Sequence, residues 1–112
     1  MYQIIRIDVV KRSVIFMIDR IRRNEERLNN ALVSIKNLEN ALNSFKSNKK
    51  DIDNLNKYYG SNKWFQDKES FEQGKITNIK CGVLSEDSVW NMNEEISDLI
   101  EEMDSLVKIY KH

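Results

Sequence analysis

Apolar residues that return at alternating steps of three and four leave a chain few folds to choose from. Only an α-helix puts such positions on one stripe, and water drives that stripe to find cover. From Ser85 to Tyr110 the alternation is unbroken, through Val89, Met92, Ile96, Leu99, Met103, Leu106 and Tyr110, with Trp90, Ile100 and Val107 beside it. A second run passes through Leu28, Ala31, Ile35, Leu38, Leu42 and Phe45, preceded by Ile18 and Ile21. Proline, which costs ~3 kcal/mol inside a helix, is absent from all 112 residues. Two stripes of similar length predict an all-α fold: a long first helix antiparallel to a last helix from Ser85 to about Tyr110, a coiled-coil-like hairpin. The slot at residue 25 holds Glu25, so the first seam is expected to weaken there and its helix to project beyond its partner.

The ends are less uniform. In residues 1–16, Ile5, Ile7 and Val9 alternate with Arg6 and Asp8 as in a strand, yet no second strand offers a pairing edge. Helix is expected from about Val10, with residues 1–16 an N-terminal extension and residues 17–112 a single helical domain.

Between the stripes lies Tyr58 to Trp90, which holds both Trp, all three Gly and the single Cys. Ser47 to Lys50 should bend the chain before a short helix over 51–59 with Ile52, Leu55 and Tyr59 on one face. Gly60 suits the left-handed residue that closes such a helix. Ser61 offers an N-cap hydroxyl for a second short helix carrying Trp64, Phe65 and Phe71, with Gly74 at its end. Residues 75–84 should connect, with Gly82 allowing a sharp turn and Ile76, Ile79, Val83 and Leu84 covering helix ends. Ser85 reads as the N-cap of the last helix, and Glu86 and Asp87 as carboxylates at its positive end.

The central residues carry a resemblance. Tyr58-Tyr59-Gly60-Ser61, Trp64, Gly74-Lys75 and above all Gly82-Val83-Leu84-Ser85-Glu86-Asp87 resemble the bacterial family called domain of unknown function 4298, over about residues 18–105. That resemblance implies a small, soluble helical protein with no established activity. Lys68, Phe71 and Thr77 depart from the acidic, Tyr-containing run and the proline usual in that family.

Charge is balanced overall but not along the chain: residues 1–50 carry +6 and residues 51–112 carry −6. Arg20, Arg23 and Arg27 are therefore alternative phosphate contacts for a nucleic-acid-binding helix, although Asp19 and Glu26 lie at helical pairing distance. One cysteine cannot form an internal disulfide, and the five-residue apolar run Val14 to Ile18 is far short of the ~20 of a membrane span, so a cytoplasmic protein is expected.

Catalytic chemistry finds little to work with. His112, the only histidine, ends the chain, which removes triads and imidazole metal sites. Cys81 reads as a small, partly buried thiol. Asp67, Glu69, Glu72, Glu86 and Asp87 could gather around Ca²⁺ or Mg²⁺ in a metal protein or enzyme at the central loop, but no EF-hand spacing is present and capping and solvation account for them. No catalytic, cofactor or metal residue is assigned. The expected role is a non-catalytic protein-protein interaction module of a bacterial or phage system, immunity- or antitoxin-like or accessory, with a possible homo-oligomer through the first helix. Its candidate surface is Tyr58, Tyr59, Trp64, Phe65, Asp67, Ser85, Glu86, Asp87 and Trp90, since aromatics beside charge dominate interface hot spots.

Overall fold

A computed structural model describes the backbone of residues 2–111 and the side chains of residues 8–111. The expectations resting on His112 and on the side chains of Ile5, Arg6 and Ile7 lie outside these residues. The protein is all-α: four α-helices and one 3-10 turn, with no strand among the described residues. The helices are α1 (Tyr2–Ser47), α2 (Lys49–Tyr58), α3 (Asn62–Glu72) and α4 (Ser88–Tyr110), with the 3-10 turn at Gly82–Leu84. The chain divides after Ser47 into two compact units, Met1–Ser47 and Asn48–His112.

The first unit is a single helix. Its backbone is helical from Tyr2, so the alternation of Ile5, Ile7 and Val9 makes no strand. A second correction follows from that continuity. A step of three from Leu28 to Ala31 must be preceded by a step of four, so the seam passes through Asn24 and not through Glu25. Carried back, it runs through Ile21, Met17, Val14 and Val10, and the weak point at Glu25 disappears. The full seam is thus Val10, Val14, Met17, Ile21, Asn24, Leu28, Ala31, Ile35, Leu38, Leu42 and Phe45, in which Asn24 alone is polar. Its side chain is held locally: Asn24 Nδ2 donates to the Arg20 carbonyl at 2.9 Å, and Arg27 Nη1 donates to Asn24 Oδ1 at 3.2 Å. Every described side chain of α1 is exposed.

The second unit is built on local signals that reach their partners. The expected bend at Ser47 to Lys50 contracts to the single residue Asn48, whose carbonyl accepts from the Ile52 N–H at 3.0 Å. α2 ends at Tyr58 with Tyr59 as its C-cap, and Gly60, the next residue, stands at φ 77°. Ser61 then caps α3, its hydroxyl accepting from the Trp64 N–H at 3.2 Å. At the far end Lys75 N–H donates to Ser70 O and Gly74 N–H to Phe71 O, both at 3.0 Å, with Gly74 at φ 74°, a Schellman closure. The sharp turn expected at Gly82 lies elsewhere. Asn78 takes the left-handed conformation at φ 69°, while Gly82 opens the 3-10 turn.

Three side chains form the buried core: Trp64 of α3, Leu84 of the turn and Val89 of α4. Ile52, Leu55 and Tyr59 are half-buried as the predicted face of α2, and Met92, Ile96 and Met103 are the half-buried stretch of the α4 stripe. Asn56 of α2 and Asn93 of α4 exchange side-chain amide hydrogen bonds, at 3.3 and 2.8 Å, which sets these two helices side by side. Ile79 does not cover a helix end as expected; it is 69% exposed, because the connection that carries it stands off α3.

Candidate functional site

Most of the residues singled out in the central stretch meet, and most of them are used in fastening α2, α3, the 3-10 turn and α4 together. Spacing of four and seven puts Trp64, Lys68 and Phe71 on one face of α3. Trp64 is the deepest of the three. Its indole Nε1–H donates to the Val83 carbonyl at 2.9 Å, and its ring meets Tyr59 and Phe65 edge-on, at 5.1 and 5.0 Å between centroids. Tyr59 in turn donates its hydroxyl to the Glu86 carbonyl at 2.7 Å. Lys68 Nζ stands 5.2 Å from the Trp64 ring centre and donates to Glu86 Oε1 at 2.7 Å, a cation shared between a π face and a carboxylate. That contact lowers the Glu86 pKa and raises that of Lys68.

Tyr58 donates its hydroxyl to Asp67 Oδ2 at 2.6 Å. The phenol is pushed up to about 12, first by that hydrogen bond to a carboxylate, then by burial, then by the negative charge of Asp67 itself. The last helix begins three residues later than the sequence pattern predicted: its N-cap is Asp87, which makes no side-chain capping bond, and no acidic residue stands in its first turn. Ser85 ends the 3-10 turn in an extended conformation, and its Oγ accepts from the Ser88 N–H at 3.2 Å just ahead of the helix, where regular bonding begins with Asn91 N–H on the Asp87 carbonyl. Ser88 Oγ also donates to the Gly82 carbonyl at 2.7 Å, closing the turn onto the helix start.

Against the outer half of the α3 face this lock leaves an open groove of about 480 Å³. Lys68, Phe71 and Glu72 form one wall, Ile79, Cys81 and Ser85 the other, and Gly82 and Leu84 lie between them. Phe71 and Ile79 are exposed, at 44% and 69%. Cys81 is half-buried, with its thiol 3.6 Å from the Ile79 carbonyl. The groove is apolar with a charged rim.

Sequence reasoning placed Phe65 and Trp90 among the interaction residues, and both are exposed, at 58% and 60%. It placed Trp64 there too, but Trp64 is 4% exposed and belongs to the core. It missed Lys68, Phe71 and Ile79 as partners in one surface. The i, i+4, i+7 spacing from Trp64 was a usable signal for the first two, whereas nothing in the order of residues brings Ile79 to them. Asp67, Glu86 and Asp87 do not gather: Asp67 holds Tyr58, Glu86 holds Lys68, and no group of three metal-ligating side chains occurs among the described residues. Arg20, Arg23 and Arg27 lie along one face of α1, with Arg23 paired to Asp19 at 3.0 Å. No described helix is long and apolar enough to cross a membrane.

The family whose model matches this chain, over residues 21–106, is described as Domain of unknown function (DUF4298). No curated protein and no solved structure matches it.

Proposed function

From the premise that the chain belongs to the Domain of unknown function (DUF4298) family, whose description carries no activity, we propose that it is a non-catalytic protein-protein interaction module. The observation that carries this reading is the groove between α3 and the 79–85 connection, where Phe71 and Ile79 are held open to solvent by a rigid lock of hydrogen bonds. An exposed aromatic and an exposed branched residue in a concave, pre-formed site are what an apolar anchor residue of a partner requires, and burying them adds no reorganisation cost. The Lys68 and Glu86 pair on the rim supplies one charge of each sign for orientation. The tyrosines, carboxylates and serines that chemistry would recruit are committed to the lock, which favours binding over catalysis as the site's use. The setting we propose is the cytoplasm of a bacterium, or a phage system within one, with an immunity-like, antitoxin-like or accessory role.

The test is affinity capture from lysate of the native host, with and without nuclease, comparing the natural chain with Phe71→Ser, Ile79→Ser. Both changes lie on the surface, so Trp64 fluorescence should show an intact second unit. A protein retained by the natural chain and lost from the variant supports the groove. Capture that is indifferent to these two residues removes it, and capture that vanishes with nuclease transfers the role to Arg20, Arg23 and Arg27.

A further inference from the structure

We propose that α1 pairs with the α1 of a second copy of this chain as a parallel, in-register two-stranded coiled coil along the seam from Val10 to Phe45. This surface belongs to the first unit and the groove to the second, so either reading can fail without the other.

Length selects the occupant. The seam covers 36 residues, about 53 Å of helix at 1.5 Å per residue. The longest other helix, α4, has 23 residues and spans only about 35 Å. Among the described helices, only α1 itself is long enough to cover the whole seam. The seam also keeps the heptad alternation over its full length, with β-branched Val14, Ile21 and Ile35 and two leucines, Leu28 and Leu42, at its a positions. Ten apolar seam residues on each of two helices, at roughly 80 Å² apiece from half-exposed side chains, bring together about 1,600 Å², the area of a standard specific interface.

Asn24 and the flanking charges select the direction. In a parallel pair in register each residue meets its own copy, so the two Asn24 amides face each other and can hydrogen-bond across the seam. Arg20 then lies beside Glu25 of the second copy, five residues on, and the contact occurs twice. In an antiparallel pair that sets each a residue against a d residue, Val14 would face Phe45 and Asn24 would face Ile35, leaving a polar amide against an aliphatic side chain. Lys11 would also approach Lys46, and Glu25 would approach Leu32. The buried amide and the like-charge contact both weigh against that arrangement. Asn24 stands at a d position, and an amide whose best partner in the seam is its own copy costs stability and favours the register that brings the two together.

The experiment is sedimentation equilibrium of the full chain at 10 to 100 µM with two variants. The expected mass is twice the 13.3 kDa of one chain. Leu28→Lys, which puts a charge in the seam, should raise the dissociation constant at least 100-fold while Trp64 and Trp90, both in the other unit, keep their fluorescence. In a Cys81→Ser background, Val10→Cys should oxidise to a cross-linked dimer, because parallel pairing brings the two positions within disulfide reach. A monomer at 100 µM overturns the proposal, as does a dimer that survives Leu28→Lys. A dimer whose Val10→Cys variant fails to cross-link overturns the parallel direction, since antiparallel pairing sets those thiols about 58 Å apart.

Discussion

Replacing Leu84 with alanine tests whether the three-residue core holds the second unit together. Leu84 is 6% exposed and is buried with Trp64 and Val89 as the apolar core. Truncation removes three carbons from an apolar site, about 2.4 kcal/mol at ~0.8 kcal/mol for each. The cavity penalty that often adds to this is small here, because Leu84 lines an open groove and the space can be reached by water or closed by Phe71. The expected loss is therefore about 2 to 3 kcal/mol, the lower part of the range for Leu→Ala. A unit of this size, with a urea dependence of about 1 kcal/mol per M, should shift its midpoint down by 2 M or more. The assay is urea unfolding followed by Trp64 emission in a Trp90→Phe background, since Trp90 is exposed and reports little. A shift under about 0.5 M would refute the reasoning. The stability of the unit would then reside in the Asn56 and Asn93 pair and the capping bonds, and not in apolar burial.

Tyr58 should titrate near pH 12, against an ordinary 10.0, and Asp67→Ala should return it to the ordinary range, as read from its ring carbon shift by NMR. A phenol that holds its proton more tightly in the folded chain lends stability that is whole below pH 10 and disappears as the pH climbs toward 12. An unchanged titration in the Asp67 variant would assign the shift to burial. Glycines should divide by backbone angle: Gly60→Ala, at φ 77°, should cost about 1 kcal/mol through left-handed strain alone, with nothing within 4 Å of the new carbon. Gly82→Ala meets nothing within 4 Å and carries no such angle, so it should be neutral or stabilise by up to about 1 kcal/mol through the unfolded chain. Equal losses at the two positions in chemical denaturation would contradict both assignments.

Residues three or four apart wrote much of this fold in advance. Ser61, Gly60 and Gly74 perform the capping and closing roles that their types imply, because each acts within one turn of itself, whereas the last helix starts at Ser88 and not at the predicted Ser85. Membership of the family was legible for a similar reason, in the run from Gly82 to Asp87 and the upstream tyrosines. The α1 seam was legible as well, though it was read one residue off at position 25: the alternation of three and four, carried back from Leu28, passes through Asn24 to Ile21 and Met17.

What only the tertiary structure decided are the meetings across longer separations. Trp64 with Val83, Lys68 with Glu86, and Asn56 with Asn93 stand 19, 18 and 37 residues apart, and no period in the sequence relates such positions. Trp64, Phe65 and Trp90 are the same kind of residue to a reader of the sequence, yet one is core and two face water. The sorting depends on which side of α3 meets the 3-10 turn, and on that side the Trp64 indole N–H donates to the Val83 carbonyl. The groove follows from the same choice: Phe71 continues the Trp64 face past the end of the turn, where no side chain closes over it.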